Sequence, residues 1–226
     1  MPKSKRAKVV HLAKTDKKTR VHKAALVESI HTALTTHSHI YVFSVENMRN
    51  TFLKDVRAER SNDRFFFGRN KVMAKALGTT AEEEEREGLH LISERLVGDV
   101  GLLFSNEGPE DVKKFFHDYV KADYARSGCV ATETVQLPEG KVMRGEEGFP
   151  HNMEPQLRAL GMPTSLVNGV VTLRSDYTIC KAGEVLTPNQ AQLLKHFCIQ
   201  QADFQVKITC HWHDGKYEEL EDTMEE

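Results

Sequence analysis

Between Ile40 and Val120, short apolar runs and helical patterns alternate three times, and this alternation constrains the fold more than any other feature. Ile40–Val45 (IYVFSV) is rich in β-formers, as a buried strand is. Asn47 then offers a helix cap, and Met48, Phe52 and Val56 form one stripe of a helix running to about Arg60. Arg64–Phe67 predicts a second strand, and Val72–Leu77 a helix stopped by Gly78. The acidic run Glu82–Glu85 reads as the solvated start of a helix carrying Leu89, Ile92 and Leu96, where carboxylates meet the positive end of the helix dipole. Val100–Phe104 predicts a third strand. Gly108-Pro109 opens a helix whose apolar face is Val112, Phe115, Phe116, Tyr119 and Val120. A further helix, Ala24–Leu34, precedes the series. Strands alternating with helices give an α/β layer structure.

The pattern changes after about Tyr124. Val130–Leu137 predicts a strand, Pro138–Pro155 an irregular connection, and Gln156–Leu160 a helical fragment. Leu166–Leu173 is interrupted by Asn168-Gly169, a strong hairpin signal. Thr187-Pro188 starts a helix with Leu193, Leu194, Phe197 and Cys198 on its face. Phe204, Val206, Ile208, Cys210 and Trp212 alternate strictly, as in a half-buried strand, and Asp214-Gly215 turns the chain. We therefore expect a second module at about 125–200, with the last strand returning to the first sheet.

The net charge of −2 over 226 residues suggests no polyanion partner until the charges are placed along the chain. Residues 1–23 carry Lys3, Lys5, Arg6, Lys8, Lys14, Lys17, Lys18, Arg20 and Lys23 against Asp16 alone, a net of +8. Residues 214–226 carry seven acids and one lysine, a net of −6. A basic arm of this density neutralises phosphates with counterion release, or serves as a nuclear import signal. The acidic end reads as a solubilising tail. The first twenty residues lack an apolar core, so no secretory signal is expected, and no apolar run approaches the ~18 residues of a membrane span. Cys129, Cys180, Cys198 and Cys210 contain no Cys-x-x-Cys pair and read as reduced thiols rather than a zinc framework.

No phosphate-binding glycine loop, nucleophile elbow or zinc-protease motif is present in the sequence. His31, His37 and His39 read as surface residues. His211 and His213 share one face of a strand and so could donate to a metal, but no further ligands stand at a usual spacing. We expect no catalytic residues, no metal and no cofactor. The best binding candidate is Phe65–Leu77 (FFFGRNKVMAKAL), where an apolar strand runs through Gly68 into Arg69-Asn70-Lys71 at a helix start. Gly68 would let a phosphate backbone approach closely, helix amides favour phosphate, and Lys71 and Lys75 stack on one helix face. Arg69 and Asn70 could reach phosphate, sugar or base edge. Arg49 and Lys54 of the preceding helix complete the candidate RNA-binding set.

Three stretches resemble the ribosomal stalk-base protein superfamily, and within it the eukaryotic ribosome-assembly factors called mRNA turnover protein 4. They are MPKSKRAKVVHLAKTDKKTR; FFFGRNKVMAKALG with GDVGLLFSNEGPEDVKKFF; and LGMPTSLVNGVVTLRSDYTICKAGEVLTPNQAQLLKHF. The resemblance spans essentially the whole chain, and the opening stretch favours the assembly factors. It implies a stalk-base-type rRNA-binding α/β domain interrupted by a smaller inserted α+β domain. The expected division is a basic arm (1–23), the rRNA-binding domain (24–124 with 201–220), the insert (125–200) and an acidic tail (221–226).

The implied partners are large-subunit rRNA at the stalk base of the GTPase-associated centre, the pre-large-subunit particle and a neighbouring stalk-base ribosomal protein. Neither a membrane nor a small-molecule substrate is implied. The resemblance further implies a nucleolar placeholder, exported on pre-ribosomes and later exchanged for the mature stalk-base protein. The alternative is the mature stalk protein itself, which continues into helices that recruit acidic stalk dimers; a chain stopping at Glu226 favours the placeholder. A nuclease of mRNA decay is the third reading, and no nuclease constellation supports it. In one departure from the stalk proteins' common Lys-Asn-Thr, the motif here is Arg69-Asn70-Lys71.

Overall fold

The computed structural model describes residues 20–220. In chain order the elements are α1 (Arg20–Thr36), β1 (His39–Glu46), α2 (Asn50–Glu59), β2 (Arg64–Phe66), α3 (Asn70–Leu77), α4 (Leu89–Glu94), β3 (Val100–Ser105), α5 (Pro109–Asp118) and β4 (Lys121–Asp123). There follow β5 (Val135–Leu137), β6 (Gly140–Lys141), β7 (Met143–Arg144), β8 (Glu147–Gly148), α6 (Glu154–Ala159), β9 (Thr164–Val167), β10 (Val170–Leu173), β11 (Tyr177–Cys180), α7 (Pro188–His196), β12 (Ala202–His213) and β13 (Lys216–Glu219). The main sheet has the order β13-β12-β1-β3-β2, with β4 also on β12, so the last long strand does return beside the first. β2 pairs antiparallel with β3, Phe65 facing Leu103, and β13 antiparallel with β12, Tyr217 facing Trp212. The mixture of helices and sheets is the expected α/β class. No helix among the described residues is long and apolar enough to cross a membrane.

The described residues form two compact units. The first comprises 20–42, 63–106 and 210–220. Its core joins Ile30 and Leu34 of α1, Met73 and Leu77 of α3, Leu89 and Ile92 of α4, Phe104 of β3 and Trp212 of β12. Each such side chain contributes about 1.5–3 kcal/mol when fully buried. The Trp212 indole donates to the Glu87 carbonyl at 3.0 Å, so its one polar atom is satisfied. On β1 and β12, His39, Tyr41, His211 and His213 form a ladder of nearly parallel rings. The His39 and His213 centroids are 4.0 Å apart, and those of Tyr41 and His211 4.7 Å.

The second unit comprises 43–62 and 107–209. Leu53, Val56, Val112, Phe116 and Phe204 are buried in it, and the Phe52 ring meets Phe204 at 5.5 Å. Arg60 is only 8% exposed; its guanidinium lies 4.8 Å from the Phe115 ring centroid and donates to Glu107 at 2.8 Å. Burial of this cation is thus offset by an ion pair and an aromatic face. Residues 125–202 enclose a separate apolar cluster, including Leu157, Val171, Ile179, Leu193, Leu194 and Phe197. β9 and β10 pair across Asn168 and Gly169, whose φ values of 51° and 77° are those of the expected two-residue hairpin turn. Thr187 and Gln190 close a reciprocal capping box on α7.

Several local expectations are corrected. Asn47 does not cap α2, which starts at Asn50 behind Arg49. It turns the chain out of β1 at φ 47° instead, and its amide donates to the Asp203 carbonyl at 2.9 Å. Glu82–Glu85 lies before α4 rather than in its first turn, because Gly88 at φ 84° places the helix start later. Glu84 nevertheless reaches forward: its carboxylate accepts from the Gly88 and His90 amides, each at 3.1 Å, and lies 2.8 Å from His90 Nδ1. The His90 imidazole and these amides hold the Glu84 carboxyl below its ordinary range.

The strand expected at Val130–Leu137 shrinks to Val135–Leu137, with Val130 making a single bridge to Val185. The connection Pro138–Pro155 contains β6, β7 and β8. Cys198 is exposed at φ 58°, just past α7 rather than on its apolar face. His39 lies within the ring ladder, and burial, then His213, lowers its pKa against the opposing pull of Asp214. His31 lies 2.5 Å from Glu85.

Candidate nucleic-acid interface

The expected binding segment is built by two helices of the first unit. α3 turns Met73, Ala76 and Leu77 into the core, which leaves Lys71 and Lys75 outside it on one face, four residues apart. Arg69 precedes the helix in an extended conformation, and its carbonyl accepts the Val72 and Met73 amides at 2.8 and 3.1 Å. The first turn of α3 contains no acid, so the positive end of the helix dipole and the neighbouring Arg69 and Lys71 carry the same sign of charge. On α1, Leu26 and Val27 pack against the core while Arg20 and Lys23 are exposed. Long-stemmed cations backed by packed helices can meet phosphate without disturbing the core.

Two expected residues are already occupied. A Cβ added to Gly68 would lie 2.6 Å from Leu26 Cδ2 and 3.2 Å from Met73 Cγ. The missing side chain therefore makes room for α1, where the sequence suggested room for a phosphate. The Asn70 amide donates to the Gly98 carbonyl at 2.7 Å, tying the start of α3 to the turn before β3. Sequence reasoning missed this turn, because its partner lies 28 residues away and no local pattern marks it.

Arg49 and Lys54 belong to the second unit. Lys54 is exposed on α2. Arg49 is half-buried: its Nε forms an ion pair with Asp123, and Nη2 donates to the Tyr124 carbonyl at 2.9 Å. It holds α2 to the β4 segment, and a ligand would have to compete with that pair. Lys3, Lys5, Arg6, Lys8, Lys14, Lys17 and Lys18 lie outside the described residues, as does the tail 221–226.

The histidine ladder does not converge on a point. His39 Nδ1 lies 2.8 Å from His211 Nε2, and the rings of His39, His211 and His213 lie within 19° of parallel, an arrangement for stacking rather than shared ligation. No group of three or more His, Cys, Asp or Glu side chains able to hold a metal occurs among the described residues.

Two family models match consecutive stretches of the chain. The family model described as ribosomal protein L10 matches residues 18–121, and the model of the insertion domain found in the 60S ribosomal protein of this L10 type matches residues 125–199. The chain is 44% identical over 237 residues to the ribosome assembly factor mrt4 of Neurospora crassa, covering 98% of this chain and 94% of the relative. It is 45% identical over 216 residues to the ribosome assembly factor mrt4 of Schizosaccharomyces pombe, covering 92% and 90%. It is 28% identical over 208 residues to the large ribosomal subunit protein uL10 of Pyrococcus horikoshii, covering 92% of this chain and 58% of that relative. With cations displayed on α1 and α3, a match to the L10 model and end-to-end likeness to these assembly factors, the chain belongs to the mrt4 group of the ribosomal protein L10 family.

Proposed function

We propose that this chain is a ribosome assembly factor that binds the rRNA stalk base of pre-large-subunit particles and holds that site until the mature stalk-base protein takes it. The observation that carries the reading is the cation set Arg20, Lys23, Arg69, Lys71 and Lys75 on α1 and α3, in a chain that is 38–45% identical to ribosome assembly factors. The basic arm adds phosphate contacts, and Lys54 adds one on the second unit. The partners are then large-subunit rRNA at the GTPase-associated centre, the pre-large-subunit particle and a neighbouring stalk-base ribosomal protein. In this reading, the rRNA-binding domain is 24–124 with 201–220, and 125–200 is the insert. The reading is of a protein that works without catalysis or cofactor, in the nucleolus and nucleus, and leaves for the cytoplasm on pre-ribosomes.

Binding to a stalk-base rRNA fragment across a salt series tests this. The logarithm of affinity falls linearly with the logarithm of salt, by about 0.7–0.9 per neutralised phosphate. Arg69→Ala or Lys71→Glu weakens binding with the fold intact, and salt-insensitive binding in the wild type overturns the reading. Sedimentation separates it from the mature stalk protein, which would persist in polysomes where an assembly factor is depleted. A metal-dependent RNA cleavage assay on the purified chain is expected to show no cleavage; cleavage would revive the nuclease reading.

A further inference from the structure

The turn between α4 and β3 is fixed from several sides. At its start, Arg95 forms an ion pair with Glu219 of β13 and donates to the Tyr217 hydroxyl at 3.1 Å. Leu96 is buried in the core. The Val97 amide donates to the Arg95 carbonyl at 2.8 Å, which closes the turn tightly. Gly98 follows at φ 79°, a conformation that a side chain would strain. The Gly98 carbonyl is then held by Asn70 at 2.7 Å, beside Arg69 and Lys71.

What this constrained turn displays is apolar. Val97 is 76% exposed, the largest exposure among the large hydrophobic residues described. An exposed valine is ordinary on a loose loop. Here it stands on a turn anchored to a neighbouring strand, to the core and to the start of the basic helix. Asp99, close by in the chain, is exposed and would repel a phosphate. An apolar side chain near a carboxylate suits the face of an unpaired nucleoside, with base edge or ribose hydroxyl donors for the acid.

We propose that Val97 is a further RNA-contacting residue, packing on an unpaired nucleoside, and that Asn70 acts as a positioning residue that holds the Val97 turn beside Arg69 and Lys71. The inference rests on the rRNA-binding reading above and divides its surface in two. Arg69 and Lys71 meet phosphate, and the turn meets a nucleoside.

The test uses the full chain and a stalk-base rRNA fragment, with fluorescence anisotropy at several salt concentrations. Arg69→Ala and Lys71→Ala each lower the salt slope by about 1, as lost phosphate contacts do. Val97→Ser weakens binding about tenfold at every salt concentration and leaves the slope unchanged, the size of losing most of a valine's apolar burial. Asn70→Ala weakens binding by a similar factor, and the Asn70→Ala/Val97→Ser double variant binds about as weakly as the weaker single variant. Val97 is exposed, so its variant should melt with the wild type; Asn70→Leu, which is close to asparagine in size and neutral but has no donor, should match Asn70→Ala. Wild-type affinity in Val97→Ser, or multiplied losses in the double variant, overturns the inference while the phosphate slopes of Arg69 and Lys71 stand. Absence of salt-dependent binding in the wild type overturns the rRNA-binding reading and this inference together.

Discussion

Gly68→Ala separates two uses of the same glycine, one inside the molecule and one at the RNA. The added Cβ would lie 2.6 Å from Leu26 Cδ2 and 3.2 Å from Met73 Cγ. Leu26 is half-buried and its terminal methyl can rotate away, whereas Met73 is fully buried. Overpacking costs about 1–3 kcal/mol, and a yielding Leu26 puts Gly68→Ala near the low end, about 1 kcal/mol. Leu26→Ala alone loses part of a leucine's burial, about 1–2 kcal/mol. Since Leu26→Ala removes the nearest clash and leaves only the 3.2 Å approach to Met73, Gly68→Ala in that background should cost clearly less, a coupling of up to about 1 kcal/mol. Urea unfolding followed by the fluorescence of Trp212, the single tryptophan, reports on the relevant unit, because Trp212 is 1% exposed in the same core. An equal cost of Gly68→Ala in both backgrounds would refute the packing of Gly68 against Leu26.

Other outcomes follow from the same geometry. Glu84 has a depressed carboxyl pKa, so its stabilisation is present above its unfolded value near 4.5 and is lost as pH falls through the lower folded value. The melting temperature of the wild type should exceed that of Glu84→Gln at neutral pH and converge with it below about pH 4.5; a gap independent of pH would contradict this. Burial and then His213 lower the pKa of His39, so the unfolded chain binds the proton first, and stability should fall as pH drops below 6.5. Replacement His39→Asn should flatten that fall in pH-dependent melts, and an unchanged slope would count against it. Burial pushes the Cys210 thiol up to about 11, whereas Cys198 is exposed, so a thiol reagent on the native protein should label Cys198 before Cys210. Equal labelling rates would show that Cys210 is accessible.

Most elements were legible from periodicity because each had one dominant local signal. The Phe204–Trp212 alternation became β12, Asn168-Gly169 became the β9–β10 turn, and Thr187-Pro188 became the capped start of α7. Failures came where a distant partner overrode the local cue. Asn47 has a cap's chemistry, yet its amide is taken by Asp203, 156 residues away. Glu84 sits in an acidic run but acts on Gly88 and His90 across a turn. The candidate interface divides along the same line. Lys71 and Lys75 were placed by helical spacing alone, whereas Gly68, Asn70 and Arg49 are engaged by Leu26, Gly98 and Asp123, contacts that exist only once the chain has folded.

The central claim is that the α1/α3 surface of this chain sits on the rRNA stalk base during assembly. Cross-linking of the protein to pre-rRNA in isolated pre-large-subunit particles, mapped by nucleotide and by peptide, tests it most directly. The account predicts cross-links on the stem-loops of the GTPase-associated centre, carried by peptides spanning residues 20–27 and 68–77. Cross-links confined to other rRNA regions, or carried only by peptides from residues 125–199, would contradict it.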